Sequence, residues 1–280
     1  MSYVRKPDWL KVRLGGNANF TRTKNIVESH CLHTICSSGK CPNMGECWER
    51  GTATFMIGGD ICTRSCKFCN TKTGRPMPLN TNEPDNVAQS IMLMRLKHAV
   101  ITSVDRDDLP DMGAQHWVDT IHKIKEVNPS TTIEVLIPDF QGKDDLIDLV
   151  CAAAPEVIAH NIETTRRLTP LVRSAAKYDT SLSVLKRISD NGRKAKSGFM
   201  VGLGESLDEV YQLMDDLLLF GCSILTIGQY LQPTRKHLPV SAYITPETFV
   251  ELKVIALQKG FAYVESGPLV RSSYHAEKCL

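Results

Sequence analysis

From residue 52 onward, short apolar or β-branched runs alternate with longer segments of helical period, and this alternation constrains the fold more than any other feature of the 280-residue chain. The runs are TATFMIG (52–58), HAVITSV (98–104), TIEVLIP (132–138), EVIAHNI (156–162), KSGFMVGL (196–203) and SILTIGQY (223–230). Their length and β-branched content suit strands. Between them, Ser206 and Glu209 have capping-box spacing, and Val210, Leu213, Leu217 and Phe220 follow at three- and four-residue steps before Gly221 closes the segment. Thr245 caps a further helix with Pro246 at its first position, and Phe249, Leu252, Ala256 and Leu257 supply its buried stripe before Gly260. Strands separated by helices imply right-handed βαβ units and a parallel sheet. Six such units suit either an open doubly wound sheet or a barrel that does not close to eight, and period alone does not choose between them.

In either architecture the functional face lies at the carboxyl ends of the strands. Polar residues gather there: Thr102, Ser103 and Asp105, then Asp139, then Asn161 and Glu163, and finally Glu205 and Gln229. Strand ends lead into loops and loops are polar, so the series carries more weight than any one member.

The chain holds ten cysteines, seven of them between Cys31 and Cys69. A chain of this size builds a core without crosslinks, and its start, MSYVRKPDWLKVRLGG, places charges where an export signal would be apolar. The expectation is therefore a cytoplasmic protein whose cysteines serve metal or redox chemistry rather than disulfides. A formal net charge of +2 and the lack of a spanning apolar run give no reason to expect nucleic acid or a membrane as partner.

Cys62, Cys66 and Cys69 follow the first strand run at C-x3-C-x2-C spacing. Three thiolates on one loop can hold three irons of a 4Fe-4S cube and leave the fourth iron open to a substrate or cofactor. A structural zinc site is the alternative, but it needs a fourth ligand that the loop does not supply. A second triad, Cys36, Cys41 and Cys47, has C-x4-C-x5-C spacing and is also one ligand short. Here a zinc knuckle completed by His30, His33 or Cys31 stays open as a reading.

The first spacing, its place after the first strand and Phe68 between its last two cysteines resemble the radical S-adenosylmethionine superfamily. That resemblance implies a partial (β/α)6 TIM-type barrel and an open iron that chelates S-adenosylmethionine, from which a 5'-deoxyadenosyl radical is generated. It places Phe68 near the adenine and makes Thr102, Ser103, Asn161 and Glu163 candidate cofactor contacts. The two triads together with GTATFMIGGDICTRSCKFCN, ITSVDRDDLPDMGAQH, HNIET, KSGFMVGLGE, GQYLQPTRKHLPV and the terminal RSSYHA resemble the lipoyl synthase family over essentially the whole chain after about residue 25. The resemblance implies a second 4Fe-4S cluster, an auxiliary one, on Cys36, Cys41 and Cys47, with Ser272 as its fourth ligand; Arg271 beside it either anchors the tail or balances cluster charge. It implies an N-terminal extension (1–50) carrying the auxiliary triad, a barrel (51–260) and a C-terminal extension (261–280). The activity implied is insertion of two sulfur atoms at the sixth and eighth carbons of a protein-bound octanoyl-lysine. Neither carbon is acidified by the distant carbonyl, so general-base chemistry cannot reach them and a radical is required. The implied partners are octanoylated lipoyl carrier domains (a glycine cleavage H protein or 2-oxoacid dehydrogenase E2 domains), an electron donor and iron-sulfur carrier proteins.

Two other readings compete. A radical methylthiotransferase also uses a second three-cysteine cluster, but it carries that triad on a sizeable separate domain and usually adds an RNA-binding module. A non-catalytic iron-sulfur or zinc protein would leave the strand-end polar groups unused. Cys151 and Cys222 read as core residues, Cys279 as a free thiol, and Cys31 has no assigned role. Gly202-x-Gly204 lacks the third glycine of a dinucleotide fingerprint and reads as a close approach of backbone to a ligand. Arg235, Lys236 and His237 are candidates to receive an acidic carrier surface. His98, His116, His122 and His160 have no metal spacing and read as structural.

Overall fold

Each of the six runs forms a strand, and two further strands complete the sheet. The computed structural model describes residues 6–12, 15–30 and 32–279, so Cys31 lies outside the described residues. The strands are β1 (His33–Thr34), β2 (Thr54–Ile57), β3 (Ile61–Cys62), β4 (Lys72–Thr73), β5 (His98–Ser103), β6 (Thr132–Leu136), β7 (Val157–Ala159), β8 (Lys194–Val201), β9 (Ile224–Gln229) and β10 (Tyr263–Gly267). The helices are α1 (Ala18–Ser29), α2 (Ile35–Ser38), α3 (Met44–Glu49), α4 (Glu83–Met94), α5 (Ala114–Val127), α6 (Asp144–Ala152), α7 (Thr169–Val172), α8 (Tyr178–Asp190), α9 (Leu207–Leu219) and α10 (Pro246–Lys259).

The main sheet runs β1-β2-β5-β6-β7-β8-β9-β10, with every neighbouring pair parallel except β1 and β2. The strands follow one another in chain order without the reversal that defines a doubly wound sheet, which is the winding of a (β/α) barrel. The sequence leaves that choice open, and the topology settles it as a partial barrel with edges β1 and β10. The parallel set holds β10 as well as the six expected strands. Tyr263–Gly267, assigned from sequence to a C-terminal extension, is paired in register with β9 from Ile224 to Gly228.

The expected caps form. Ser206 and Glu209 make a reciprocal capping box on α9, whose buried face is Val210, Leu213, Met214 and Leu217. Thr245 accepts a hydrogen bond from the Thr248 amide at the start of α10, which buries Phe249, Leu252 and Ala256. Leu257 departs from the expected stripe and is 44% exposed, because one residue beyond Ala256 the helix has turned about 100° away from the barrel.

After β10 the chain crosses the open side of the barrel. Asn43 Nδ2 donates to Leu269 O at 2.7 Å, Thr54 Oγ1 donates to Ser273 Oγ at 2.9 Å, and Arg50 pairs with Glu277 at 3.3 Å. The tail ends beneath the barrel, where Cys279 packs on Val157 and Ile224 at the starts of β7 and β9. Above it, Lys196 and Glu134 form an ion pair at 2.7 Å, with side chains 2% and 1% exposed. Cys151 and Cys222 are buried, as expected of core residues.

Candidate functional site: a cavity between two cysteine triads

A cavity of about 720 Å³ opens at the carboxyl ends of the strands. Thr102, Ser103, Asp105, Asp139, Asn161 and Glu163 all line it, so six of the eight strand-end polar residues face one space. The other two serve the scaffold. The Glu205 carboxylate accepts from the Gly202 and Leu203 amides, and Gln229 Nε2 donates to the Val201, Tyr230 and Ala242 carbonyls. Those bonds also correct the reading of Gly202. A Cβ there would collide with the Gln229 amide and Ala242 O, so the backbone approached is the chain's own and not a ligand.

Cys62, Cys66, Cys69 and Phe68 form one part of the cavity wall, and Cys36, Cys41, Arg271 and Ser272 form another. The loop carrying the first triad leaves β2 through Gly58 and Gly59, whose φ angles of 81° and 95° suit residues without a Cβ. The Gly58 amide donates to Glu83 Oε2 at 2.7 Å, and the same oxygen is 2.6 Å from His116 Nε2, giving His116 the structural role expected of it. Arg64, between Cys62 and Cys66, is buried and donates from Nε and Nη2 to both oxygens of Asp107 and from Nη2 to Asp139, each at 2.7 Å. These bonds fix the loop to the ends of β5 and β6. On its far side the Lys67 amide donates to Val172 O at 2.8 Å, and the Leu238 amide donates to Lys67 O at 3.2 Å. His237 Nε2 lies 2.9 Å from Cys69 O, so this histidine is a fastening for the loop and not a free docking group. Asn70 Nδ2 donates to Ser38 O at 2.8 Å, joining the first triad's loop to the segment bearing the second.

Glu163 has a positive φ of 69°, uncommon for a residue with a Cβ. Its amide donates to Gly198 O and its carbonyl accepts from the Met200 amide, so β8 imposes the strain that turns its carboxyl to the cavity. Burial raises that carboxyl above its ordinary range, opposed by the charge of Arg173, a hydrogen bond from Asn161 and the charge of Arg271. Asn161 Oδ1 is buried with no partner among the described residues. A Cβ at Gly198 would run into Thr226 Oγ1 and Asn161 Oδ1, so the glycine keeps this wall open. An orphaned acceptor in a polar cradle fits a cofactor that brings hydroxyl or ammonium donors.

The second triad sits on α2, the turn after it and α3. Cys36 and Trp48 are buried together with Ala53, and Cys41 and Cys47 pack against them. Cys47 lies behind the cavity wall rather than on it. Burial, the neighbouring thiols and Glu46 push the Cys47 thiol up to about 12, and burial with the nearby Asp105 charge does the same to Cys62. Thiols of this kind stay protonated in the metal-free chain, so metal binding there releases protons. Arg271 is half-buried on the same wall, with the Glu163 carboxyl as a group of opposite charge near it.

The two tail serines differ. Both line the cavity, but Ser273 is engaged by Thr54, whereas Ser272 makes no hydrogen bond among the described residues. Also among the described residues, no three His, Cys, Asp or Glu side chains converge tightly enough to hold a single metal ion.

Sequence reasoning missed Arg64, Asn70 and Arg173 as parts of the site. A charged residue inside the triad was the one available signal, and Arg64 shares it with Lys67, which is exposed.

The Radical SAM superfamily profile matches residues 56–217. A protein named lipoyl synthase from Parabacteroides distasonis is 72% identical over 276 residues, covering 99% of this chain and 98% of its own. One of the same name from Treponema denticola is 59% identical over 274 residues, covering 98% and 94%. Among solved structures, Streptococcus suis SuiB bound to S-adenosylmethionine superposes with a TM-score of 0.60 at 10% identity, over 80% of this chain and 54% of the other, so the match spans about half of that protein. Methylornithine synthase superposes with a TM-score of 0.55 at 11% identity, over 89% and 82%. At these identities the likeness is one of fold.

Proposed function

The chain belongs to the lipoyl synthase family within the radical S-adenosylmethionine superfamily, and from that premise we propose how its cavity divides the work of inserting two sulfur atoms into a protein-bound octanoyl chain. Cys62, Cys66 and Cys69 hold the radical 4Fe-4S cluster. Cys36, Cys41, Cys47 and Ser272 hold the auxiliary one. When bound, these groups with S-adenosylmethionine supply a carbon radical strong enough to take an unactivated hydrogen, and a sulfur source beside it. The observation that carries the reading is that the first triad, Cys36 and Cys41 of the second, and Ser272 meet one cavity, although residues 36–69 and 272 lie at opposite ends of the chain.

The chain's own residues bind and orient. The Asn161 acceptor and the strained Glu163 carboxyl receive donors of S-adenosylmethionine, with Phe68, Thr102 and Ser103 completing its surroundings. Arg271 sets a half-buried positive charge beside the auxiliary site, where cluster charge needs balancing. Ser272 is free to ligate, whereas Ser273 is held by Thr54. A serine oxygen is a harder donor than thiolate, and this weaker match to soft iron-sulfur coordination eases loss of one iron as sulfur is withdrawn.

An octanoylated carrier is the substrate. Lys40 on the cavity wall and Lys67, Arg235 and Lys236 on the adjoining loops are exposed, a basic rim suited to an acidic surface around the octanoyl-lysine of an H protein or E2 domain. The 1–50 segment then carries the auxiliary site, 51–260 the barrel, and 261–280 the tail that supplies Ser272. An electron donor and iron-sulfur carriers act in the cytoplasm to reduce and reload the protein. Among the described residues no helix is long and apolar enough to cross a membrane.

Anaerobic incubation with S-adenosylmethionine, reductant and an octanoyl-lysine peptide, followed by mass spectrometry, tests the reading. The expected product carries two sulfurs, and the reconstituted protein holds about eight irons with matching sulfide. A peptide free of sulfur from protein with both clusters intact would overturn it.

A further inference from the structure

The auxiliary triad contains a buried donor that the activity has not used. Trp48 is 5% exposed, and its indole Nε1 has no hydrogen-bond partner among the described residues. It packs in one small buried cluster with Cys36, also 5% exposed. The ring is fixed from both sides. Phe20 packs on it with centroids 5.3 Å apart, and Thr23 Oγ1 donates to Trp48 O at 3.0 Å. A buried N–H left without an acceptor costs free energy, and a thiol sulfur is a poor acceptor. A metal-bound thiolate is a much better one.

Resting on the assignment of the auxiliary cluster to this triad, we infer that Trp48 is a positioning residue for that cluster. Its buried indole N–H, unpartnered in the metal-free chain, would hydrogen-bond the Cys36 thiolate of the loaded site. Hydrogen bonds to sulfur and the residues that orient metal ligands are known means of tuning such centres.

The test uses the full chain with Cys62→Ala, Cys66→Ala and Cys69→Ala, which leaves only the auxiliary site to load. Trp48→Phe keeps an aromatic ring and removes the N–H. The expected result is iron release to a ferrous chelator about fivefold faster, the factor corresponding to one net hydrogen bond. The cluster's midpoint potential is expected to move negative, because an unscreened thiolate disfavours the added electron. Phe20→Leu loosens the ring packing but keeps the donor, and it should leave the potential in place. Trp48→Leu also removes the N–H and should move release and potential in the same direction as Trp48→Phe; it decides the matter if Trp48→Phe does not fold. Unchanged release and potential in the donor variants would overturn the inference, as would an equal shift from Phe20→Leu. Failure of the parent triple variant to bind any cluster would instead overturn the auxiliary-site assignment itself.

Discussion

Replacing Arg64 with alanine should detach the radical-cluster loop from the barrel. The Arg64 side chain is 6% exposed and its partner Asp139 is 3% exposed, whereas Asp107 is 23% exposed. Without the guanidinium, Asp107 can regain water, and its share of the loss is about 1 kcal/mol or less. Asp139 cannot, and keeps only the Gln141 amide at 2.9 Å. Breaking a buried pair in this way costs about 3–5 kcal/mol. That is a large part of the roughly 5–15 kcal/mol that holds a folded domain together. Much of the loss should appear locally, because detaching the loop lets Asp139 reach water without unfolding the barrel. The assay is hydrogen exchange of the Thr63 and Gly74 amides, which donate to Asp105 O and Cys62 O, beside urea unfolding and iron content after reconstitution. Expected results are faster exchange at both amides, a lower urea midpoint and fewer irons retained. Arg64→Lys keeps the charge but cannot span both carboxylates with a planar fork, so it should fall between. Wild-type exchange and a stability change within about 0.5 kcal/mol in Arg64→Ala, the range of an ordinary surface substitution, would refute the reasoning.

Ser272→Cys should load an auxiliary cluster that gives up iron more slowly and completes fewer sulfur insertions, while Ser273→Ala should still load; unchanged turnover and iron release in Ser272→Cys would sink the proposed role of the serine. Glu134→Gln should lower stability by about 3 kcal/mol or more by leaving Lys196 charged and unpaired, and the double change Glu134→Leu with Lys196→Met should recover much of the loss in urea unfolding. Burial, with the charges of Lys196 and Arg173 respectively, lowers His98 and His160 to about 4, so the unfolded chain binds more protons below its ordinary histidine value of about 6.5. The stability from keeping both neutral is therefore present above about pH 6.5 and lost as pH falls through 4, and a urea midpoint that stays flat across that window would contradict the burial argument.

Local signals settled a good deal of this protein from sequence. The six strand runs, the α9 capping box, the Thr245-Pro246 start of α10 and both cysteine spacings are carried by neighbouring residues, and short-range sterics and hydrogen bonding act on neighbours whatever the rest of the chain does. Where a side chain answers to distant partners, the signal disappears. Tyr263–Gly267 was not legible as a strand because only Val264 in it is buried, so it lacks an apolar alternation. Leu257 looked like part of a buried stripe, but which arc of α10 meets the barrel is set by the barrel.

Family resemblance named Ser272, but its freedom and the capture of Ser273 by Thr54 depend on a tail that crosses the open side of the sheet from the other end of the chain. Arg64 finds Asp107 and Asp139 across separations of 43 and 75 residues, and Lys196 finds Glu134 across 62. The sequence by itself determined which elements form and which thiols are available for iron. The winding of the strands decided that five of the six triad cysteines and the tail serines face a single cavity, because the βαβ crossovers, and not residue spacing, fix where each strand end points.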